Sequence, residues 1–157
     1  MAGTGQSAGT KLIVDNRRAR HDYELLERVE AGIVLTGTEV KSLREGRVTI
    51  AHAYADIRDG EAWLVGASIE EYAQGSVGAH RPERDRKLLL HRREIDSLLG
   101  KVREKGLTLV PTRMYFKDGR VKVELAVGRG REKVDKRRVI AERDATRQME
   151  RALRRRR

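Results

Sequence analysis

Leu107-Thr108-Leu109-Val110, Arg113-Met114-Tyr115-Phe116, Asp118-Gly119 and Val121-Lys122-Val123-Glu124-Leu125 follow one another within residues 107–125. The first two runs read as strands, the Asp–Gly pair as a turn and the last run as a return strand. In the return strand Val121, Val123 and Leu125 alternate with Lys122 and Glu124, so one face turns to a core and the other outward. Residues 53–69 repeat the arrangement, with Tyr54-Ala55-Asp56-Ile57 and Ala62-Trp63-Leu64-Val65 flanking Asp59-Gly60, a pair that favours a tight primed turn. Two helices interrupt the strands. Thr36-Gly37-Thr38-Glu39 places Glu39 for a capping box, and Gly46 stops that helix. Ile95, Leu98, Leu99 and Val102 form one apolar stripe, with Glu94 and Asp96 near its start, Lys101, Arg103 and Lys105 near its end, and Gly106 closing it. Short strands with inserted helices predict a mainly β fold, a small barrel or a strongly curled sheet.

Outward from this centre the chain loosens. Met1–Lys11 is Gly, Ala, Ser and Thr with almost no bulky side chain, a flexible arm. Glu70–Arg86 is polar and interrupted by Pro82, and loops of that length inside a compact domain are often functional. Of the formal charge of +11 over 157 residues, residues 129–157 carry +8 and the first 128 only +3. A nearly balanced body therefore bears a polycationic tail, which repels itself when free and pairs with phosphates. It is expected to stay largely unfolded until a polyanion is present; a solvated charged helix that binds nothing is the plainer alternative. Ala141, Ala145, Met149 and Leu153 recur every four residues there, a stripe too thin to sustain a helix without a partner.

Several classes of function are excluded or unsupported. With no cysteine there is no disulfide scaffold, thiolate metal site or cysteine nucleophile. No apolar run approaches the roughly 20 residues of a membrane span, and the opening residues lack a secretory signal, so an intracellular basic protein is expected. His21, His52, His80 and His91 have no metal-ligand spacing, and the adjacent His21–Asp22 does not make a catalytic relay. Gly128-Arg129-Gly130 is only part of a phosphate-loop pattern, and Glu70–Glu71 reads as a solvated pair. No nucleophile–base–oxyanion set emerges, and neither a cofactor nor a metal is expected. A nucleic-acid-binding protein fits better. Six aromatic residues are too few for a multi-base stacking platform, so phosphate, sugar and shape contacts should dominate, with His21 and Tyr23 as the few stacking candidates. Tyr23 reads equally well as an ordinary half-buried strand residue.

Three blocks carry a resemblance: Asn16-Arg17-Arg18-Ala19-Arg20-His21-Asp22-Tyr23, Glu30-Ala31-Gly32-Ile33, and Gly37-Thr38-Glu39-Val40-Lys41-Ser42-Leu43-Arg44. Arg86-Lys87-Leu88-Leu89-Leu90-His91-Arg92-Arg93-Glu94-Ile95, Gly106-Leu107-Thr108-Leu109-Val110-Pro111 and Asp135-Lys136-Arg137 continue it. In this order they resemble the SsrA-binding protein (small protein B) family over residues 16 to about 137. The resemblance implies a cytoplasmic, bacterial, non-enzymatic RNA-binding protein of trans-translation and ribosome rescue. It implies an OB-like barrel, closed or partly open, with two to three peripheral helices. The partners implied are the tRNA-like domain of transfer-messenger RNA, elongation factor Tu, and the decoding centre and mRNA channel of the small ribosomal subunit. The chain then divides into an arm over residues 1–15, a barrel over 16–128 and a tail over 129–157, disordered when free and helical on the ribosome.

Carried over by motif, the RNA-facing residues are Asn16, Arg18, Arg20, His21, Tyr23, Glu30, Leu89 and Lys122. The ribosome-contacting tail residues are Asp135, Lys136, Arg137, Met149 and Leu153. Lys122 agrees with its outward face on the return strand. Leu89 on sequence alone reads as core, and Glu30 is unusual on an RNA surface unless it accepts from a base or ribose, or holds a neighbouring cation. Two departures stand out: Arg81-Pro82-Glu83-Arg84-Asp85-Arg86 has two acids where relatives carry a basic run, and Val134 stands where relatives have an aromatic or histidine. A general architectural nucleic-acid protein held by charge, or a small RNA-processing enzyme using His21 or Asp22, are the competing classes.

Overall fold

The computed structural model describes residues 9–72, 80–130 and 145–154. Strands β1 (Thr10–Asp15), β2 (Tyr23–Ile33), β4 (Tyr54–Arg58), β5 (Glu61–Val65), β7 (Arg86–Leu89), β8 (Thr108–Lys117) and β9 (Arg120–Gly130) form one antiparallel sheet. Its order is β1-β8-β4-β5-β7-β2-β9, and β9 also pairs with β8, so the sheet curls back on itself into a barrel. The seam is narrow: β4 meets β8 only at Ala55↔Leu109. The short strands β3 (Val48–Thr49) and β6 (Ser68–Ile69) pair beside it, and helices α1 (Arg17–Asp22), α2 (Gly37–Arg44) and α3 (Arg92–Lys105) lie between the strands in sequence. Leu64, Leu88, Leu109, Met114, Val123 and Leu125 fill the interior together with Leu43 of α2 and Leu98 of α3. The expected mainly β barrel with peripheral helices is the architecture observed.

Both Asp–Gly turns behave as their chemistry requires. Asp59 and Gly60 sit at φ 50° and 75°, and Asp118 and Gly119 at 51° and 80°, the positive values a primed two-residue hairpin needs. Thr36 and Glu39 make the expected capping box on α2, and Gly106 ends α3 in the left-handed region. Val121, Val123 and Leu125 are buried as the alternation demands, while Lys122 and Glu124 are half-buried.

The structure corrects three boundaries. The N-terminal arm does not extend to residue 15, because Thr10–Asp15 pairs with β8 from Thr10↔Lys117 to Asp15↔Arg113. Backbone pairing along an existing strand orders a segment whose composition promised none. The two runs 107–110 and 113–116 are one strand, interrupted by a bulge between Pro111 and Arg113. Pro111 has no amide hydrogen for the ladder, and the bulge places Thr112 in the interior with its hydroxyl donating to the Glu124 carboxylate at 2.6 Å. The barrel ends at Gly130 rather than residue 128, since Tyr23↔Gly130 is the last β2–β9 pair.

Candidate nucleic-acid interface

The bulge in β8 turns two carbonyls toward Asn16. Its Nδ2 donates to Pro111 O at 2.8 Å and Ile50 O at 3.1 Å, its backbone N–H donates to Thr112 O at 2.7 Å, and its Oδ1 accepts from Ala19 N at 3.1 Å. One side chain thereby caps α1 and ties it to β8 and to the segment around residue 50. Asn16 is 3% exposed, and its hydrogen bonds hold in place the surface that α1 presents. Between the elements it joins lies a cavity of about 370 Å³, bordered by Arg18, Asp22, Tyr23, His52 and Tyr54. Tyr23 is half-buried and its ring rests on Gly128, where an added Cβ would come within 3.1 Å of it.

The cations of α1 face solvent in carboxylate company. Arg20 binds Asp15 through two hydrogen bonds of 2.8 and 3.1 Å, and Arg18 Nε donates to Asp22 at 3.3 Å. The His21 ring contacts the other Asp22 oxygen at 3.0 Å and is 81% exposed. Together His21 and then Arg18 hold the Asp22 carboxyl below its ordinary pKa. These pairs fix the guanidinium directions and leave further donors on each arginine outward.

A second group lies across three adjacent strands. Gly32 of β2 is in register with Leu89 of β7 on one side and Lys122 of β9 on the other. Leu89 is 52% exposed, so its core reading is corrected: its strand-end position directs it outward, and Gly32 leaves the room, since a Cβ there would meet Leu89 at 3.2 Å. Leu89, Lys122, Val40 and Arg120 line a groove of about 270 Å³. Beside it, the Glu30 carboxylate accepts from the Tyr115 hydroxyl and from Lys117 Nζ at 3.4 Å. The Tyr115 hydrogen bond, followed by Lys117 and the more distant Lys122, keeps Glu30 ionised below the ordinary glutamate range. Burial and the Glu30 charge push the Tyr115 hydroxyl up in turn. Glu30 is thus a holder of neighbouring donors. Tyr115 and Lys117 escaped the sequence reading because only the β2–β9–β8 register brings them to Glu30.

In the 81–86 segment Arg84 and Arg86 turn toward Glu39, and of its arginines only Arg81 is exposed. Arg86 and Glu39 are both 0% exposed; Arg86 Nε donates to Glu39 Oε2 at 2.8 Å, and its Nη atoms donate to Ala67, Arg84 and Pro82 carbonyls at 2.8–3.0 Å. Arg84 binds the same carboxylate, and Thr36 N donates to it at 2.8 Å. Burial alone would raise the Glu39 carboxyl, but these donors outweigh it and lower its pKa. Asp85 is taken by Arg58 at 2.9 Å. Of the two acids in this run, Asp85 is therefore part of a structural network, while Glu83 is exposed. Of the tail residues, Asp135, Lys136, Arg137 and Val134 lie outside the described residues. Residues 145–154 are helical, with Met149 and Leu153 exposed at 69% and 66%.

Among the described residues no helix is long and apolar enough to cross a membrane, and no group of three His, Asp or Glu side chains is placed to hold a metal ion. The profile of the SmpB protein family matches residues 13–155. An SsrA-binding protein of Acidothermus cellulolyticus is 58% identical over 151 residues, 96% of this chain and 95% of its own length. One of Mycolicibacterium smegmatis is 53% identical over 156 residues, 99% of this chain and 97% of its own. A solved structure described as "tmRNA-SmpB: a journey to the center of the bacterial ribosome" superposes with a TM-score of 0.64 at 52% identity, covering 78% of this chain and 85% of that one. The quoted motifs, the barrel and these near-full-length likenesses agree, and the chain belongs to the SmpB family of SsrA-binding proteins.

Proposed function

We propose that this protein binds transfer-messenger RNA through its barrel and brings it to stalled ribosomes for trans-translation, acting in the cytoplasm as a binding protein. The observation that carries the reading is the family membership of nearly the whole chain, in which curated relatives are SsrA-binding proteins. The barrel exterior supports it, since it gathers Arg18 and Tyr23 around one depression, with His21 against the Asp22 carboxylate that lines it, and Leu89 and Lys122 in one groove beside Glu30. The tRNA-like domain is the part of the RNA these surfaces meet, and recognition is by shape with a few base contacts. The tail enters the vacant mRNA channel, with Asp135, Lys136 and Arg137 at the decoding centre and Met149 and Leu153 on the helix beyond. Elongation factor Tu travels with the charged RNA.

Deletion of residues 131–157, which leaves β9 intact, tests the division of labour. The truncated protein should keep its affinity for tRNA-like RNA while tagging of stalled chains is lost. Loss of RNA binding on deletion would assign recognition to the tail and overturn the proposal.

A further inference from the structure

The cavity beside α1 has a far wall, His52 and Tyr54, that belongs to none of the carried-over contacts. We propose that this cavity accepts one unstacked nucleobase of the bound RNA, with Tyr23 and Tyr54 as its aromatic surfaces and Asp22 as its acceptor. The inference rests on the reading above and names what that part of the surface holds.

The size fits: about 370 Å³ lies within the roughly 300–1,000 Å³ of small-molecule sites. The lining fits better still. Two of the chain's six aromatic residues border this one depression, with Ala53 and Val110 as apolar lining. Too few for a platform, they suffice for a single base, and unstacked bases on aromatic rings are the usual currency of specific RNA recognition. Among the described residues neither tyrosine hydroxyl is hydrogen-bonded, so both remain available to a ligand.

Electrostatics select a base over a phosphate. Arg18, the guanidinium on this wall, already donates to Asp22, and a phosphate entering here would meet that carboxylate. The same carboxylate uses one contact per oxygen, to His21 and Arg18, and keeps acceptor capacity for a base bearing an amino group. The walls are also fixed in advance. Tyr23 is seated on Gly128, and Gly66, at φ +81°, passes His52 so closely that a Cβ would lie 3.1 Å from its carbonyl. Asn16 ties the two walls through Ile50 O. Such preorganisation lowers the ordering cost of binding.

The test measures binding of transcribed tRNA-like RNA by the full-length protein and by Tyr54→Ala, Tyr54→Phe and Lys122→Ala. Tyr54 is 42% exposed, so its truncation should leave the melting temperature in place; Tyr54→Leu, which keeps the bulk, gives the same reading if the alanine variant does not fold. Loss of one stacked base predicts affinity lower by roughly 5- to 150-fold in Tyr54→Ala, with Tyr54→Phe within about twofold of the parent. The slope of log affinity against log salt should not change, because no phosphate contact is removed. Unchanged affinity in Tyr54→Ala beside weakened Lys122→Ala would overturn the cavity and leave the function standing. A parent protein that binds random RNA of equal length as tightly would overturn the function itself.

Discussion

Glu39 and Glu30 are both carboxylates gripped by cations on the same barrel, yet Glu39 has no exposed side-chain surface and Glu30 keeps 37% of its own. The donors to Glu39 are Arg86 at 0% exposure, Arg84 at 29%, and the Thr36 amide of the α2 cap. Glu30 is held by Tyr115 and by a lysine 45% exposed, on strands whose outer face also carries Lys122. The contrast separates two uses of one residue type. A carboxylate that is itself fully buried, with a fully buried guanidinium among its donors, specifies which segments pack together. A half-exposed one orders a surface that remains open to a partner.

The comparison breaks most visibly on removing each charge. Glu39→Gln leaves the guanidinium of Arg86 buried without its anion, and breaking a buried pair from one side costs about 3–5 kcal/mol. Glu30→Gln should cost less than about 1 kcal/mol, as exposed pairs do, while weakening RNA binding. Urea unfolding of both variants reads the first difference and RNA titration the second. Equal destabilisation by the two would mean that exposure does not divide their roles.

Asn16→Ala should come next, at about 2–4 kcal/mol, from a lost helix cap and the loss of two buried hydrogen bonds, to the Pro111 carbonyl and to the Ile50 carbonyl, which keeps only the Ala53 amide. Its stability loss should be accompanied by disorder of the α1 surface, visible as increased amide exchange at Arg17–Asp22. A variant as stable as the parent would show that the bulge at Pro111 does not depend on Asn16.

Legibility in the sequence followed the range of the interactions. Asp59–Gly60, Asp118–Gly119, the Thr36–Glu39 box and the α3 stripe are local, and each was readable from a few neighbours. β1 was not, because Thr10 is ordered by Lys117, more than a hundred residues away. Glu39 showed the same limit in one residue: the cap at Thr36 was legible, whereas its arginine partners lie 45 and 47 residues on. The family resemblance carried over Tyr23, Glu30, Leu89 and Lys122 as expected contacts, but the strand register alone revealed Gly32 between Leu89 and Lys122, and Tyr115 against Glu30. The burial of Asn16 was not legible, since a polar residue in a basic motif gives no sign that the fold will enclose it.

Acid sharpens the comparison further. Glu39 and Glu124 have folded pKa values below the ordinary 4.5: burial opposes ionisation, but Arg84, Thr36 and Arg86 at one, and Arg113 and Thr112 at the other, prevail. Their stabilisation is therefore complete above pH 4.5 and is lost as pH falls through the lower folded values. Glu39→Gln should flatten the acid limb of a stability-versus-pH curve more than Glu30→Gln does. Parallel acid limbs in parent and Glu39→Gln proteins would show that the buried carboxylate does not govern acid stability.

Tyr115→Phe is the smallest and most selective change. It removes the hydroxyl donated to Glu30 and keeps the ring, so folding stability should move by no more than about 1 kcal/mol. Since that hydrogen bond is the largest cause holding the Glu30 carboxyl down, its removal should let the Glu30 pKa rise toward 4.5, readable by carboxyl NMR titration. RNA affinity should fall less than in Glu30→Gln, because Lys117 still contacts both carboxylate oxygens. A Glu30 titration that does not shift would transfer the holding role from Tyr115 to the lysines, and the surface would then be ordered by charge alone rather than by a directed hydrogen bond.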